Sequence, residues 1–486
     1  MYSNAVGLNY VGYEGSGNSL TLSNGATVAV NNIAIGATAI SRSNAVIVTD
    51  AGSRLQVPNL SVGSTSSWST LRILNGAVVC SDDGDIGHYA NAGNNSVLVS
   101  GPGSVWTNRN SFTVGYEGVS NQAVIANGAM VATYAFCIGN YGSSNTLSIL
   151  NGGMASNTLG FIGLMESASN NVARVSGNGS LWKNSSLLYV GYAGSSNRME
   201  ILNAGRVFSP DAYVGYATGS VGNSLTLSSA ATFFATNLYI GMLTGANSNT
   251  VTVTDNETRL EIPDLYVGYS GSWSRLSILN GGTVSNRNSY IGYAAASKNN
   301  SVLVSGSGSL WSNYSGISIG ENGSLNRLTV SNGGTVTAAA CTVGFYGSSN
   351  RLEIMDGGRV IASSYFAIGA YPGSVGNSVL ISGAGSLLSN ALSVYYVGHY
   401  GSGNSLTLSN AATLSAGEFW IGAEPGAHSN TVVVTDSGSR LETPHNLYVG
   451  NTSSWNSLSI LNGGVVSNFN GYIGYGAASS NNSVLV

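Results

Sequence analysis

The sequence predicts an all-β chain, a parallel β-helix or β-solenoid running without interruption over residues 1–486. Three observations carry that prediction. A glycine preceded by a β-branched residue returns nineteen times from Gly12 to Gly474, at steps of 24 to 29 residues. Short runs of alternating apolar residues fill the intervals, as in Leu265-Tyr-Val-Gly-Tyr269 and Leu276-Ser-Ile-Leu-Asn-Gly-Gly-Thr-Val284. Asn-Gly pairs interrupt those runs. Alternation with a period of two, broken by turn residues, reads as strands, and a fixed repeat of this length reads as coils that pack on their neighbours.

Each part of a coil follows from its residues. If the branched residue before the glycine points inward, Leu238, Ile240, Leu265 and Val267 also point inward, while Tyr239 and Tyr266 point out. Leu276, Ile278 and Val284 supply the core from other sides, so a coil has two or three faces. The repeated glycine stands at a bend that a side chain would resist. Asn24-Gly25, Asn75-Gly76, Asn280-Gly281 and Asn332-Gly333 meet the same need, and their asparagines are expected to form an internal hydrogen-bonded ladder. Pro58, Pro263 and Pro444 belong at corners, because a central strand needs every N–H. Parallel connections favour right-handed winding. At about 4.8 Å per coil the steps predict a rod of roughly 85 Å. A β-propeller is the rival fold, but its blades need about 40 residues.

The coils come in three kinds. A short one has the form Asn-x-Leu-x-Leu-x-Asn-Gly, as at Asn18 to Gly25 and Asn326 to Gly333. A second carries Thr-Asp, then Arg-Leu and proline, at Thr49 to Pro58, Thr254 to Pro263 and Thr435 to Pro444. A third carries Ser-Gly-x-Gly-Ser with Trp106, Trp182 or Trp311, and with Leu388 in the fourth copy. The order short, second, short opens a higher repeat at Gly12, Gly215 and Gly398.

Composition narrows the function. Charged residues make up 7% and the net charge is −4, so no electrostatic footprint for nucleic acid or an anionic membrane exists. No apolar run is long enough for a membrane-spanning helix. Residues Met1 to Gly7 lack the basic and apolar regions of a signal peptide, so an export signal is expected outside this segment or export proceeds without one. Cys80, Cys137 and Cys341 lie too far apart for disulfides and read as small buried fillers. Met1 to Gly12 aligns on Leu387 to Gly398, and Val484 to Val486 on Val302 to Val304. Two readings stay open: a window from a longer array, or a subunit of an end-to-end filament.

The motif resembles the repeat associated with type V secretion autotransporters and PEP-CTERM proteins, carried best by Leu265 to Val284, Cys137 to Ala155 and Tyr448 to Val466. That resemblance implies a β-helical passenger stalk outside a bacterial cell, similar to adhesins.

Candidate chemistry is thin. The densest acidic patch is Asp82, Asp83 and Asp85 beside His88, which reads as a solvated turn. Asp50, Asp255 and Asp436, each followed by Arg54, Arg259 or Arg440, are too dispersed to cooperate, and each reads as a cap of its own turn or a local pair. His88, His399, His428 and His445 share no ligand spacing, and the serines have no triad partners. No catalytic, cofactor or metal residues are assigned, and no cofactor is expected. Tyr189, Tyr213, Tyr239, Tyr266 and Tyr290 stand two before the repeated glycine, a column that breaks at Ser318; they either hold a glycan or another rod, or support the sheet. Trp68, Trp273 and Trp455, like Trp106, Trp182 and Trp311, are expected to pack structurally. The expected function is a non-catalytic surface rod with an adhesin-like role, contacting a surface glycan or a host or matrix protein and possessing no transmembrane helix. The alternatives are the self-associating filament and a polysaccharide-binding or polysaccharide-degrading β-helix.

Overall fold

The computed structural model describes residues 2–486, with side chains at all of them except 2–6, 391 and 392. Met1, invoked above for end-to-end pairing, lies outside the described residues. Among them the chain is all-β, a parallel β-solenoid of about 18 turns with a period of ~26 residues. Contacts divide it into two compact units, Met1–Asn237 and Leu238–Val486.

Within the first unit a coil consists of a five-residue strand, Thr146–Leu150, a tight turn, and a nine-residue strand, Met154–Ile162. The long strand pairs in parallel with Leu181–Val190, and its register shifts between Asn157 and Leu159. That irregularity bends one strand around a corner, so two strands serve three faces. In the second kind of coil the corner is a clean break. Arg54–Gln56 and Asn59–Val62 flank Val57-Pro58, and the Pro58 carbonyl accepts the N–H groups of Asp82 and Asp83. Pro263 does the same for Arg287 and Asn288 in the second unit.

The core follows the alternation. Leu238, Ile240, Leu265, Val267, Leu276, Ile278 and Val284 are all buried, each contributing roughly 1.5–3 kcal/mol by removal from water. Trp106, Trp182 and Trp311 are fully buried and donate Nε1–H to Ser81 Oγ, Asn157 Oδ1 and Asn286 Oδ1 at 2.9, 2.7 and 2.9 Å. Cys137 and Cys341 are buried as expected, and burial pushes the Cys341 thiol up to about 12. Cys80 is not: it is half-buried, and its sulfur accepts from Arg54 at 3.2 Å.

An internal asparagine ladder exists, but on different residues from those the sequence reading chose. Asn24, Asn75, Asn280 and Asn332 are exposed turn residues with φ between 50° and 55°. The ladder runs through the asparagine that stands just before most of the short strands. In the first unit Asn95, Asn121, Asn145, Asn171, Asn197 and Asn223 succeed one another, each donating its backbone N–H (2.9–3.0 Å) and its Nδ2–H (3.1–3.2 Å) to the Oδ1 of the next. The Nδ2 group also donates to a carbonyl of the preceding coil, as from Asn145 to Gly118 at 3.1 Å. In the second unit the same pattern runs from Asn300 through Asn326, Asn350, Asn377, Asn404, Asn430 and Asn456 to Asn482.

This ladder explains the repeated glycine. A Cβ at Gly115 would stand 2.1 Å from Asn145 Nδ2, and φ there is 78°. Gly25 has nearly the same φ, 76°, but nothing lies within 4 Å of its missing Cβ. Gly25→Ala should therefore cost only the left-handed penalty, about 1 kcal/mol. Gly115→Ala should cost several-fold more, on the order of 3–4 kcal/mol, because it also displaces a buried amide. Denaturant midpoints of the two variants, measured side by side, test whether the ladder or the backbone angle dictates glycine.

The ladder has a gap in the first unit at Ser69, which leaves Asn44 Nδ2 buried without a partner. In the second unit Ser274 follows Trp273 in the same way, whereas Asn456 fits after Trp455, donating to Ser453 Oγ at 2.9 Å and Asn482 Oδ1 at 3.1 Å. Ser69→Asn should complete the rung and stabilise the first unit by about 1 kcal/mol, visible as a higher denaturation midpoint.

Candidate functional site

Outward-facing side chains form columns, because each strand residue sits over its counterpart one coil away. The column two before the repeated glycine and the column just after it run side by side. In the first unit Tyr189 lies between Phe161 and Tyr213, with ring centroids 5.3 and 4.9 Å apart and planes within 6° and 14°. Tyr192 stacks on Tyr216 at 5.0 Å and meets Tyr189 edge-on. In the second unit Tyr266 lies between Tyr239 and Tyr290 at 4.8 and 5.0 Å, beside the pair Tyr269 and Tyr293. Burial against these neighbours pushes the Tyr189 phenol up to about 12 and raises that of Tyr266. A sugar binds aromatic residues through the ring face, and Tyr189 and Tyr266 have both faces occupied. Of the two roles open for this column, support of the sheet fits the geometry.

The columns are interrupted near Asp83, Asp85 and His88. The structure brings these three together, and each is already engaged. His88 Nδ1 pairs with Asp85 Oδ2 at 2.9 Å, and Asp83 accepts from Ser111 Oγ at 2.6 Å and Asn110 Nδ2 at 3.3 Å. His88 also stacks on Tyr116 at 5.0 Å. Asp50, Asp255 and Asp436 adopt φ of 74° to 75° in separate turns. Asp50 and Asp436 accept from the turn N–H groups of Asn24 and Asn410 in the preceding coils, at 3.3 and 3.2 Å, so the turn each one caps is that of the coil before and not its own.

The remaining histidines are apart. His399 accepts or donates through Nδ1 to Tyr365 Oη at 3.0 Å and stacks on Tyr396, whereas His428 Nδ1 accepts from Ser454 N–H at 3.1 Å and His445 is exposed. Among the described residues no group of three His, Cys, Asp or Glu side chains is placed to hold a metal ion. Two ionic clusters escaped the sequence reading. Glu200 sits between Arg174 and Arg198, and the buried Glu353 between Arg327 and Arg351. In each cluster the glutamate pairs with an arginine two residues before it on its own strand and with an arginine of the preceding coil, and only Arg174 and Glu200 stand in register.

Trp68, Trp273 and Trp455 do not pack into the structure as expected. They are 55%, 60% and 63% exposed, with φ of 65°, 61° and 63°. The position they hold is a left-handed turn residue, filled in other coils mostly by Ser or Asn, as at Ser43, Asn94, Ser248 and Asn299. A bulky residue there costs roughly 1 kcal/mol, and more than half of each of these residues stays in solvent.

The paired carboxylate of Asp85 holds His88 above the ordinary imidazole value of 6.5, whereas burial lowers His399. The consequences have opposite sign. Stability from His88 is fully present below pH 6.5 and fades as pH rises through its folded pKa. His399 favours folding when neutral, so its contribution is lost as pH falls from 6.5 through its folded pKa. Histidine-selective NMR titration should find the two imidazoles on either side of 6.5, and Asp85→Asn should move His88 alone, downward.

Comparison with known proteins adds little. No protein-family description matches the chain, and no curated protein matches it. Among solved structures it is similar to the crystal structure of a TibC-catalyzed hyper-glycosylated TibA55-350 fragment, at 14% identity, covering 99% of this chain and 98% of that one, with a TM-score of 0.26. A likeness at that level carries no functional argument.

Proposed function

We propose that this chain is a non-catalytic, adhesin-like rod displayed outside a bacterial cell, which works by repeated weak contacts. The observation that carries this reading is the set of exposed indoles Trp68, Trp273 and Trp455. Each stands at a strained position, and each recurs in the same setting. A Ser occupies the equivalent turn position one coil before and an Asn one coil after: Ser43 and Asn94, Ser248 and Asn299, Ser429 and Asn481. Strain retained at a residue that is mostly exposed points to function, and an exposed indole offers a large, rigid contact area. The resemblance of the repeat to autotransporter passengers supports the same placement and role. The carboxylates speak against turnover, since those of the second coil kind are engaged in separate turns and those near His88 hold hydrogen bonds to their own neighbours.

The test is display of the chain on a non-adherent bacterium, with retention measured on surfaces coated with glycans or matrix proteins. Asparagine already fits the tryptophan position at Asn94 and Asn299. The triple variant Trp68→Asn, Trp273→Asn, Trp455→Asn should thus keep or raise the melting temperature while adherence falls about tenfold. Unchanged adherence in that variant would overturn the reading, as would steady release of reducing ends from a polysaccharide by the purified chain.

A further inference from the structure

We propose that a notch in the outer columns of the unit Met1–Asn237 is a binding site for a short neutral oligosaccharide. This goes beyond the adhesin reading, which rests on the three indoles, and places a second, chemically different site on the chain.

Register defines the notch. One outward column passes from Tyr10 through Ala34 and Ser61 to Asp85. The column beside it passes from Tyr13 through Ala37 and Ser64 to His88, following the backbone bonds from Ala37 to Gly12, Ser64 to Gly36 and His88 to Gly63. In the coils of Tyr189 and Tyr213 both columns carry rings, but here two successive coils carry only Ala and Ser. The result is a depression of about 370 Å³, at the lower end of the range for small-ligand sites. Three coil steps separate the ring-bearing rows on its two sides, ~14 Å from centre to centre.

The walls and floor have the chemistry that recognises a sugar. On one side His88 has one face stacked on Tyr116, 5.0 Å away with planes within 8°, and lines the notch together with Tyr89, which is 50% exposed. Tyr89 meets His88 edge-on, with centroids 4.6 Å apart and planes at 85°, and no ring lies parallel to it among the described residues, so Tyr89 keeps a ring face for the C–H face of a sugar, which Tyr189 and Tyr266 lack. Along the floor Asn32, Asn59 and Asp83 form a third column in register. Asn59 Nδ2 donates to Asn32 Oδ1 at 2.8 Å, and Asp83 is fixed by Ser111. Each side chain is thereby oriented, yet an amide offers two donors and an acceptor with two lone pairs, and a carboxylate about four acceptor positions. Vicinal hydroxyls, which donate and accept together, match that mixture. Asp83 and Asp85 repel carboxylates and sulfates, so the ligand is a neutral glycan and not a uronic acid polymer.

Isothermal titration of the full chain with neutral gluco- and manno-oligosaccharides, and with oligogalacturonate as the anionic counterpart, tests the proposal. A neutral oligosaccharide should bind at least tenfold more tightly than oligogalacturonate and shift the ring resonances of His88. Ala34→Tyr with Ser61→Tyr continues the aromatic column through the notch, as at Tyr189 and Tyr213, and should lower that affinity at least tenfold with the melting temperature kept. The triple tryptophan variant should bind the oligosaccharide as the parent does, so failure of this site and failure of the adhesin reading are separately visible. Absence of binding by every neutral oligosaccharide at millimolar concentration, equal binding of oligogalacturonate, or a His88 that does not respond to a bound ligand would each overturn the proposal. So would undiminished affinity in the double tyrosine variant.

Discussion

The structure depends on a buried amide that must find its partner one coil away. Where the ladder is continuous, as from Asn95 to Asn223, each asparagine closes two hydrogen bonds forward and, at most rungs, one backward, out of reach of water. In such surroundings a satisfied amide chain reinforces itself, and an unsatisfied amide is expensive. Much else in the coil accommodates this contact. The glycine that sets the repeat leaves room for the amide, and the β-branched residue before it closes the core beside it. The flat outer columns follow from the register that the ladder imposes. Low charge is compatible with this design because specificity resides in amides and not in ion pairs.

Much of this was legible in the sequence. Alternation and the returning glycine give the strands, the parallel stacking and the inward set, and proline marks the corners. The ladder was legible only as a type of interaction. Most short coils offer two asparagines six residues apart, such as Asn18 and Asn24, and turn statistics favour the one before glycine. That preference is correct for the turn and wrong for the ladder, since a residue held at positive φ on the outside of a turn cannot also face inward. What would have distinguished them is that the other asparagine persists where the Asn-Gly pair is lost, as Asn95, Asn171 and Asn300 do.

The candidate sites were less legible, for two reasons. Tryptophan recurring at a fixed place signals packing when its neighbours are apolar and on a strand, as for Trp106, but Trp68 follows Ser-Ser in a turn and has nowhere to bury. The notch depends on absences in two adjacent columns. Ala34, Ala37, Ser61 and Ser64 are unremarkable in a linear reading, and only the register that stacks them between Tyr10 and His88 turns four small residues into a gap. The acidic patch is correspondingly misread as a turn when its column partners Asn32 and Asn59 are not seen.

The even spacing of ladder contacts also bears on how such a chain winds. Every rung joins residues 24 to 27 apart, so the loop that must close is the same size for the second coil as for the last, and the entropic cost of adding a coil does not grow with the length already formed. Contact separation relative to length falls as coils accumulate, which favours fast propagation. At a winding front only the newest amide lacks its onward acceptor, so the unsatisfied polar burden stays at about one rung however long the wound part becomes. A β-rich chain built this way can grow in length without the slow long-range pairing that limits sandwiches and barrels.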